Sequence, residues 1–354
     1  MKRYILFAIV ATVLSAGMQL KAENVEKEER NPDRTEKKSF SDIGDVEIDH
    51  KYGNIVVRES NTKNVELEVQ YFDNNNAKAT CEIKMNGSTL EIRTLNSTTS
   101  GMGIAGIKVK TSNSGKDLKI NYILSLPKNV SLITTLKYGN MNISKVRGEF
   151  EADLSYGNLD VEDFGNITPK LNLRYGNLTI GEVQELDLSV SYSNVTIRKA
   201  KIFDFEGAYN NFILGKIGSM DISSESRYNK FEISEVGTIN CEIKYGNLTI
   251  GNLASSIDLV AAYSNVSIAT SAKAKSVEIE GAYSDITIQL PSGISASFES
   301  EIKHGDLIIS NTHKATYTEH SVKNFTSSKS GKIGTKSPAL NMNLSNRYSD
   351  IKIK

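Results

Sequence analysis

The sequence predicts an all-β protein: a right-handed parallel β-helix of about 18-residue turns with an N-terminal β-hairpin cap. Three observations predict it. A Tyr-Gly-Asn-like triplet recurs with its aromatic residue at Tyr52, Tyr138, Tyr156, Tyr175, Tyr192, Tyr209, Tyr228, Tyr245, Tyr263, Tyr283, His304 and Tyr348. From Tyr138 to His304 the intervals are 18, 19, 17, 17, 19, 17, 18, 20 and 21 residues, and eleven of the fifteen tyrosines occupy this slot. Large apolar residues stand three and five places after every aromatic, as in Leu178/Ile180 and Val195/Ile197. Such period-two alternation, rich in Ile, Val and Leu, belongs to strands and not to helices.

Each element of the repeat has a reason. The place after the aromatic holds Gly, Asn or Ser, and the next holds Asn in eight copies, Asp at Asp285, Asp306 and Asp350, and Lys at Lys230. Gly, Asn and Asp accept left-handed backbone angles or hydrogen-bond their own turn, so the triplet reads as a corner. Alternating segments such as Leu171/Leu173 and Leu188/Val190 before it, and the Ile/Val pairs after it, read as short strands joined by a variable turn such as Gly181-Glu182-Val183. One such turn cannot cover the entropy of ordering its own backbone, so turns must stack at ~4.8 Å and share hydrogen bonds. The usual hand of parallel crossovers makes the coil right-handed. The aromatic shares parity with the apolar residues before it, which places its ring inward beside the corner, stacked on its neighbours.

The flanks are less regular. Lys2 and Arg3, the apolar run Tyr4–Leu14 and the small residues Ser15, Ala16 and Gly17 read as a secretory signal peptide, residues 1–22, cut after Ala22 or at Gly17. An uncleaved anchor is the alternative, although the run is short of the ~20 residues that span a bilayer. Removing Lys2, Arg3 and Lys21 with it takes the formal net charge from 0 to −3. Residues 23–39 are nearly all polar and read as a mobile leader. Residues 40–137 hold a first turn and hairpin-like runs (Val65–Val69, Leu90–Ile92, Ile107–Val109, Leu118–Ile120), 138–310 the repeats, and 311–354 a polar excursion and last turn.

Composition excludes some functions. Lys plus Arg balance Asp plus Glu at 42 each, without the excess that nucleic acid requires. Two cysteines build no disulfide framework, and no Cys or His spacing suits zinc. Cys241 stands where other turns have Leu171, Leu188 or Leu259, so it reads as a small buried hydrophobe, and Cys81 likewise. A Cys81–Cys241 disulfide is the minor reading.

The segment Gly101-Met102-Gly103-Ile104-Ala105-Gly106 matches the dinucleotide pattern GxGxxG but precedes a strand-like run instead of a helix, so it reads as a loop. The tyrosine column reads as structural, with a sugar-stacking platform as the alternative. Asp285 and Asp306 occupy the Asn slot of consecutive turns, where a cation between them is the alternative to solvent screening. Asp160, Glu162 and Asp163 form the one dense acidic patch, and no arginine recurs beside it as a β-helix lyase or hydrolase would need. His50, His304, His313 and His320 share no ligand or nucleophile spacing.

The opening VEIDHKYGNIVV, the segment YILSLPKNVSLITTLKYGNMNI and the serial Tyr-Gly-Asn turns resemble the putative-adhesin family of domains of unknown function. The resemblance covers roughly residues 40–354. It implies a β-helical protein of the Gram-negative envelope, similar in look to auto-transporter adhesin heads, exported to the periplasm or surface in a binding or structural role. It carries over no catalytic residues. The expectation is therefore an exported, non-catalytic adhesin or scaffold whose partner is an envelope or surface glycan or protein. It assigns no catalytic, cofactor or metal residue, no cofactor and no membrane span after signal cleavage. A periplasmic structural or regulatory partner of an envelope-stress system, and a carbohydrate-active enzyme, stay open as alternatives.

Overall fold

Twenty-six strands and no helix make up the described residues of this computed structural model, which are 30–74, 78–95 and 118–354. The signal-like segment, the GxGxxG segment and the run Ile107–Val109 lie outside them. From Pro32 to Lys354 the chain forms a single unit.

Around each tyrosine corner, one strand segment enters and another leaves, and each pairs in parallel with its equivalents in the neighbouring turns. Leu178, Val195, Phe212, Phe231, Leu248, Val266 and Ile286 thereby stand in register as one inward column. Leu171, Leu188, Phe205, Ile222, Cys241, Leu259 and Ile279 form another. Every member of both columns is buried. Cys241 accordingly behaves as a hydrophobe, whereas Cys81 is only half-buried, with its Sγ 3.2 Å from the Tyr71 hydroxyl; both cysteines are free.

The variable turn between corners differs from the expectation over much of the coil. The strands Asn177–Ser191, Asn194–Ala208, Lys230–Lys244 and Asn247–Ala262 run unbroken from one corner to the next. In the first of them the inward positions are Leu178, Ile180, Val183, Leu186, Leu188 and Val190. Their spacing lengthens from two to three on either side of Val183. The strand thus bends twice without leaving its ladder, and each bend turns a new face inward.

At the N-terminal end, Thr89–Leu95 and Lys119–Leu126 lie parallel on the Tyr52 turn. Thr80–Asn86 forms a hairpin with Thr89–Leu95, and Val65–Phe72 runs antiparallel to Lys119–Leu126, a pairing distant in sequence. Arg34–Phe40, inside and just beyond the segment read as a leader, pairs antiparallel with Val65–Phe72. Its alternation was hidden in the sequence because RTEKKSF forms an outer edge strand, where charge blunts further pairing.

The C-terminal end departs most from chain order. The last turn, Leu340–Arg347 and Ile351–Ile353, inserts between the Tyr283 turn and the His304 turn, parallel to both. The residues read as a polar excursion form an antiparallel hairpin, Ala315–Lys323 and Thr326–Ile333, whose second strand covers the open edge of Ala296–Lys303.

Candidate functional site

The tyrosine corners build one continuous edge. Every aromatic of the repeat has a left-handed backbone, with φ between 51° and 64°, which is uncommon for a residue with a side chain. The corner therefore differs from its sequence reading: the tyrosine takes the left-handed angle, and of the residues in the next two places only Gly53 also has a positive φ. This conformation keeps the ladder intact through the corner. Each aromatic N–H donates to a carbonyl of the adjoining turn at 2.7–3.3 Å, as Tyr138 N does to Ser155 O and Tyr192 N to Ala208 O.

The rings were expected inward, and they lie outside. Ten of the tyrosines are 43–52% exposed. In the order Tyr52, Tyr138, Tyr156, Tyr175, Tyr192, Tyr209, Tyr228, Tyr245, Tyr263, Tyr283, Tyr348, His304 and Phe325 they stack face to face. Neighbouring centroids are 4.5–5.2 Å apart and interplanar angles are 3–20°. The left-handed angle turns the side chain out of the pleat, which is why parity misplaced it. A left-handed residue costs about 1–2 kcal/mol, and an aromatic stack returns about 0.5–1.5 kcal/mol beyond burial. An aromatic ring thus offsets the corner's own strain. Stacking also covers the ring faces, leaving edges and hydroxyls to solvent, so the column cannot serve as a platform for sugars laid flat on each ring. Desolvation in the stack, then repulsion from Tyr348 and Tyr263, pushes the Tyr283 hydroxyl above its ordinary pKa.

Two places on, the asparagines form a second exposed ladder. Amide Nδ2 atoms of Asn140, Asn158, Asn177, Asn194, Asn211 and Asn265 donate to the Oδ1 of the asparagine in the turn before, at 2.7–3.4 Å. The slot between aromatic and asparagine faces inward and shows two chemistries. At Gly139, Gly157 and Gly176 a Cβ would stand 1.8 Å from the carbonyl oxygen of the glycine one turn earlier, so only glycine fits. There the backbone N–H of Asn140, Asn158 and Asn177 donates to an asparagine side chain of the preceding turn. From the Tyr192 corner to the Tyr283 corner the equivalent N–H donates to a backbone carbonyl instead, as Asn194 N does to Gly176 O and Asn211 N to Ser193 O, whereas Asp306 N donates to Asp350 Oδ1. The slot then accepts Ser193, Asn210, Asn229, Ser264 and Ser284, all buried. Their side chains accept bonds from slot N–H groups one turn away: Gly176 N to Ser193 Oγ at 3.3 Å and Ser193 N to Asn210 Oδ1 at 3.0 Å.

In the acidic patch, burial and then Glu162 raise the pKa of Asp160. Burial also opposes ionisation of Asp163, but the Gly165 N–H, Lys145 at 3.3 Å and Arg147 at 3.8 Å outweigh it and hold that carboxyl low. Asp285 and Asp306 are not adjacent, because the inserted last turn sets Asp350 between them and donates Ser349 Oγ to Asp285 at 2.6 Å. The positive partner of Asp306 is the buried Lys329, whose Nζ lies 2.7 Å away, with Ser327 Oγ at 2.6 Å. Against the cost of burial these two bonds keep Asp306 below the usual carboxylate pKa. Among the described residues no group of three or more His, Cys, Asp or Glu could hold a metal.

His304 takes its place in the stack in place of tyrosine. His50 is buried in the N-terminal cap with Nδ1 2.6 Å from Thr94 Oγ1, which is 3.0 Å from the Tyr122 hydroxyl. Burial, partly opposed by backbone bonds to Ile120 and Gly53, lowers the His50 pKa to about 4. Nothing in its sequence spacing signalled this contact set, because Thr94 and Tyr122 come from separate strands of the cap.

The family model described as Toastrack DUF4097 matches residues 43–353. A comparison with curated proteins finds no match. Among solved structures, the chain is similar to a putative adhesin from Parabacteroides merdae ATCC 43184, with 16% identity, 74% of this chain and 98% of that chain covered, and a TM-score of 0.39. It is similar to a putative adhesin from Parabacteroides distasonis ATCC 8503, with 13% identity, coverages of 73% and 96%, and a TM-score of 0.34. A protein from the same organism described as a putative lipid binding protein shares 12% identity over 92% and 97% of the two chains, with a TM-score of 0.28. At such scores these likenesses bear no weight on function.

Proposed function

The chain belongs to the Toastrack DUF4097 family, and from that premise we propose that it is an exported, non-catalytic binding module of the cell envelope whose working surface is the tyrosine edge. The observation that carries this reading is the exposure of the stack. Ten tyrosines at 43–52% exposure, each about 150–250 Å² in full, present roughly 1,000 Å² in one stripe. A stripe that large, with a hydroxyl or an amide at each turn, suits recognition of an extended partner.

The basic and apolar start of the sequence supports export, and no helix among the described residues is long and apolar enough to cross a membrane. A non-catalytic role is supported in the acidic patch by Asp163, whose carboxyl is tied to Lys145 and Arg147. The coil is right-handed in this reading, after the general hand of parallel crossovers.

The test is twofold. Binding of the purified chain to arrays of envelope and host glycans and proteins is expected, and an absence of binding across all of them refutes the module. Protease treatment of intact cells separates a surface module, which is cut, from a periplasmic structural or regulatory partner, which is shielded.

A further inference from the structure

We infer that the tyrosine edge is a track for a linear anionic polysaccharide, of the uronate-bearing class, lying parallel to the stack with one sugar per turn. This rests on the binding-module reading and names its ligand chemistry. The inference comes from the residue that precedes each aromatic. Along the stack these are Lys51, Lys137, Ser155, Arg174, Ser191, Ala208, Arg227, Lys244, Ala262, Ala282, Arg347 and Lys303, joined in register turn after turn. Seven of the twelve are cationic and none is acidic.

Two residues before this column, on the same outward face, stand Asp49, Asp153, Glu206, Glu225, Glu242, Glu280 and Glu301. Of the column's cations only Lys244 makes an ion pair among the described residues, with Glu242 at 2.6 Å. Elsewhere on the same coil some charges neutralise across turns, as Lys145 with Asp163 at 3.3 Å, Lys199 with Glu182 at 3.5 Å and Lys216 with Glu235 at 2.8 Å, whereas Asp187, Asp204 and Asp221 stand in register as a like-charged column. At the head of the column Lys51 lies against the rings, its Nζ 4.8 Å from the Tyr52 centroid and 5.8 Å from that of Tyr138. On the far side of the stack the amide ladder supplies neutral donors, until Asp285, Asp350 and Asp306 end it. The edge therefore offers cations, phenol hydroxyls and amides in three parallel rows at the strand spacing of ~4.8 Å.

Chemistry selects the occupant. A second copy seated ladder to ladder would bring two cationic columns together, and like charges that close repel. A neutral sugar gains nothing from the cations and finds no ring face to lie on. An extended β-linked chain of uronates advances by nearly one strand spacing per sugar, so it meets a hydroxyl at eleven of the twelve turns, an amide at eight and a cation at seven. Many weak contacts along one chain then act together.

The experiment titrates the full chain with alginate oligomers of increasing length, at low and at physiological salt. Neutral mannan, duplex DNA and phosphatidylglycerol vesicles are the controls. Affinity is expected to rise steeply with oligomer length and to fall with salt. The double variant Arg174→Glu/Arg227→Glu is expected to weaken binding by about tenfold or more and to lower the salt slope, with an unchanged melting temperature; Arg→Lys at both sites restores it. Equal, salt-independent binding of mannan overturns the anionic assignment and leaves the binding module standing. Preference for DNA or vesicles over alginate, or a dimer that the same variant abolishes, overturns the ligand class. Failure to bind alginate, mannan or any array component overturns both.

Discussion

Gly157→Ala probes the corner geometry most sharply. The new Cβ would stand 1.8 Å from the Gly139 carbonyl oxygen, where real contacts begin at about 3.0 Å, and the obstacle is backbone and not a flexible side chain. The two turns must part locally by more than 1 Å. Three bonds across that gap then stretch beyond useful length: Tyr138 N to Ser155 O at 3.0 Å, Asn158 N to Asn140 Oδ1 at 3.2 Å and Asn158 Nδ2 to the same atom at 2.9 Å. At about 1 kcal/mol for each bond and ~1 kcal/mol for the loosened Tyr138–Tyr156 stack, the loss is about 4 kcal/mol. Ser193→Ala, at the same slot of the other corner type, has room for its Cβ and forfeits the bond from Gly176 N at 3.3 Å and its own bond to Ser191 O at 2.8 Å, together about 2 kcal/mol. Urea denaturation followed by circular dichroism gives both values, and hydrogen exchange locates the damage, since a stack of repeats can open locally. If Gly157→Ala matches the parent in both readouts, the corner can adopt the Ser193-type peptide orientation and the reasoning that glycine is obligatory fails.

Other consequences are as direct. Leu173 is 2% exposed in the inward column, so Leu173→Asp places a carboxylate among apolar side chains and should abolish the cooperative melting transition or leave the chain open to limited proteolysis. His50 titrates near 6.5 when unfolded and near 4 in the fold. The unfolded chain therefore binds the extra proton first, and stability falls as pH drops from about 6.5 to about 4. The total is about 3 kcal/mol, and denaturation midpoints across that range should flatten in His50→Phe. Asp306→Asn strands the Lys329 ammonium, whose side chain is 8% exposed against 46% for its partner. With that exposure discounted, a loss of about 2 kcal/mol is expected, and Asp306→Asn/Lys329→Met should recover most of it by the same assay.

The sequence made the coil legible because its signal is redundant. Twelve copies of one triplet, each followed by apolar residues at fixed offsets, report strands and stacking even where a single copy is degenerate, as at His304. Ring orientation was not legible, since alternation assigns faces only to extended backbone, and each aromatic sits where φ changes sign. The two corner chemistries were visible as a change from Gly157 and Gly176 to Ser193 and Asn210. Their cause, a backbone N–H that switches acceptor, lies between turns and leaves no mark within one. The insertion of Leu340–Ile353 before the His304 turn was hidden for a related reason. Parallel neighbours offer identical ladders, so local pattern does not order the turns, and only contacts distant in sequence do. The cationic column was present throughout as the residue before seven of the twelve aromatics, but it acquires meaning only beside an exposed stack.

The central claim is that the tyrosine edge is a working surface, and its hydroxyls separate that role from structure. Tyr192→Phe/Tyr209→Phe/Tyr228→Phe keeps three consecutive rings, their stacking and their backbone angles, and removes only groups that face solvent. Measured on one preparation, the melting temperature should stay unchanged while affinity for the bound envelope polymer falls about tenfold or more, as expected for three hydroxyl bonds of about 0.5–1.5 kcal/mol each. Undiminished affinity in that variant would show that the partner docks elsewhere and that the stack serves the fold alone.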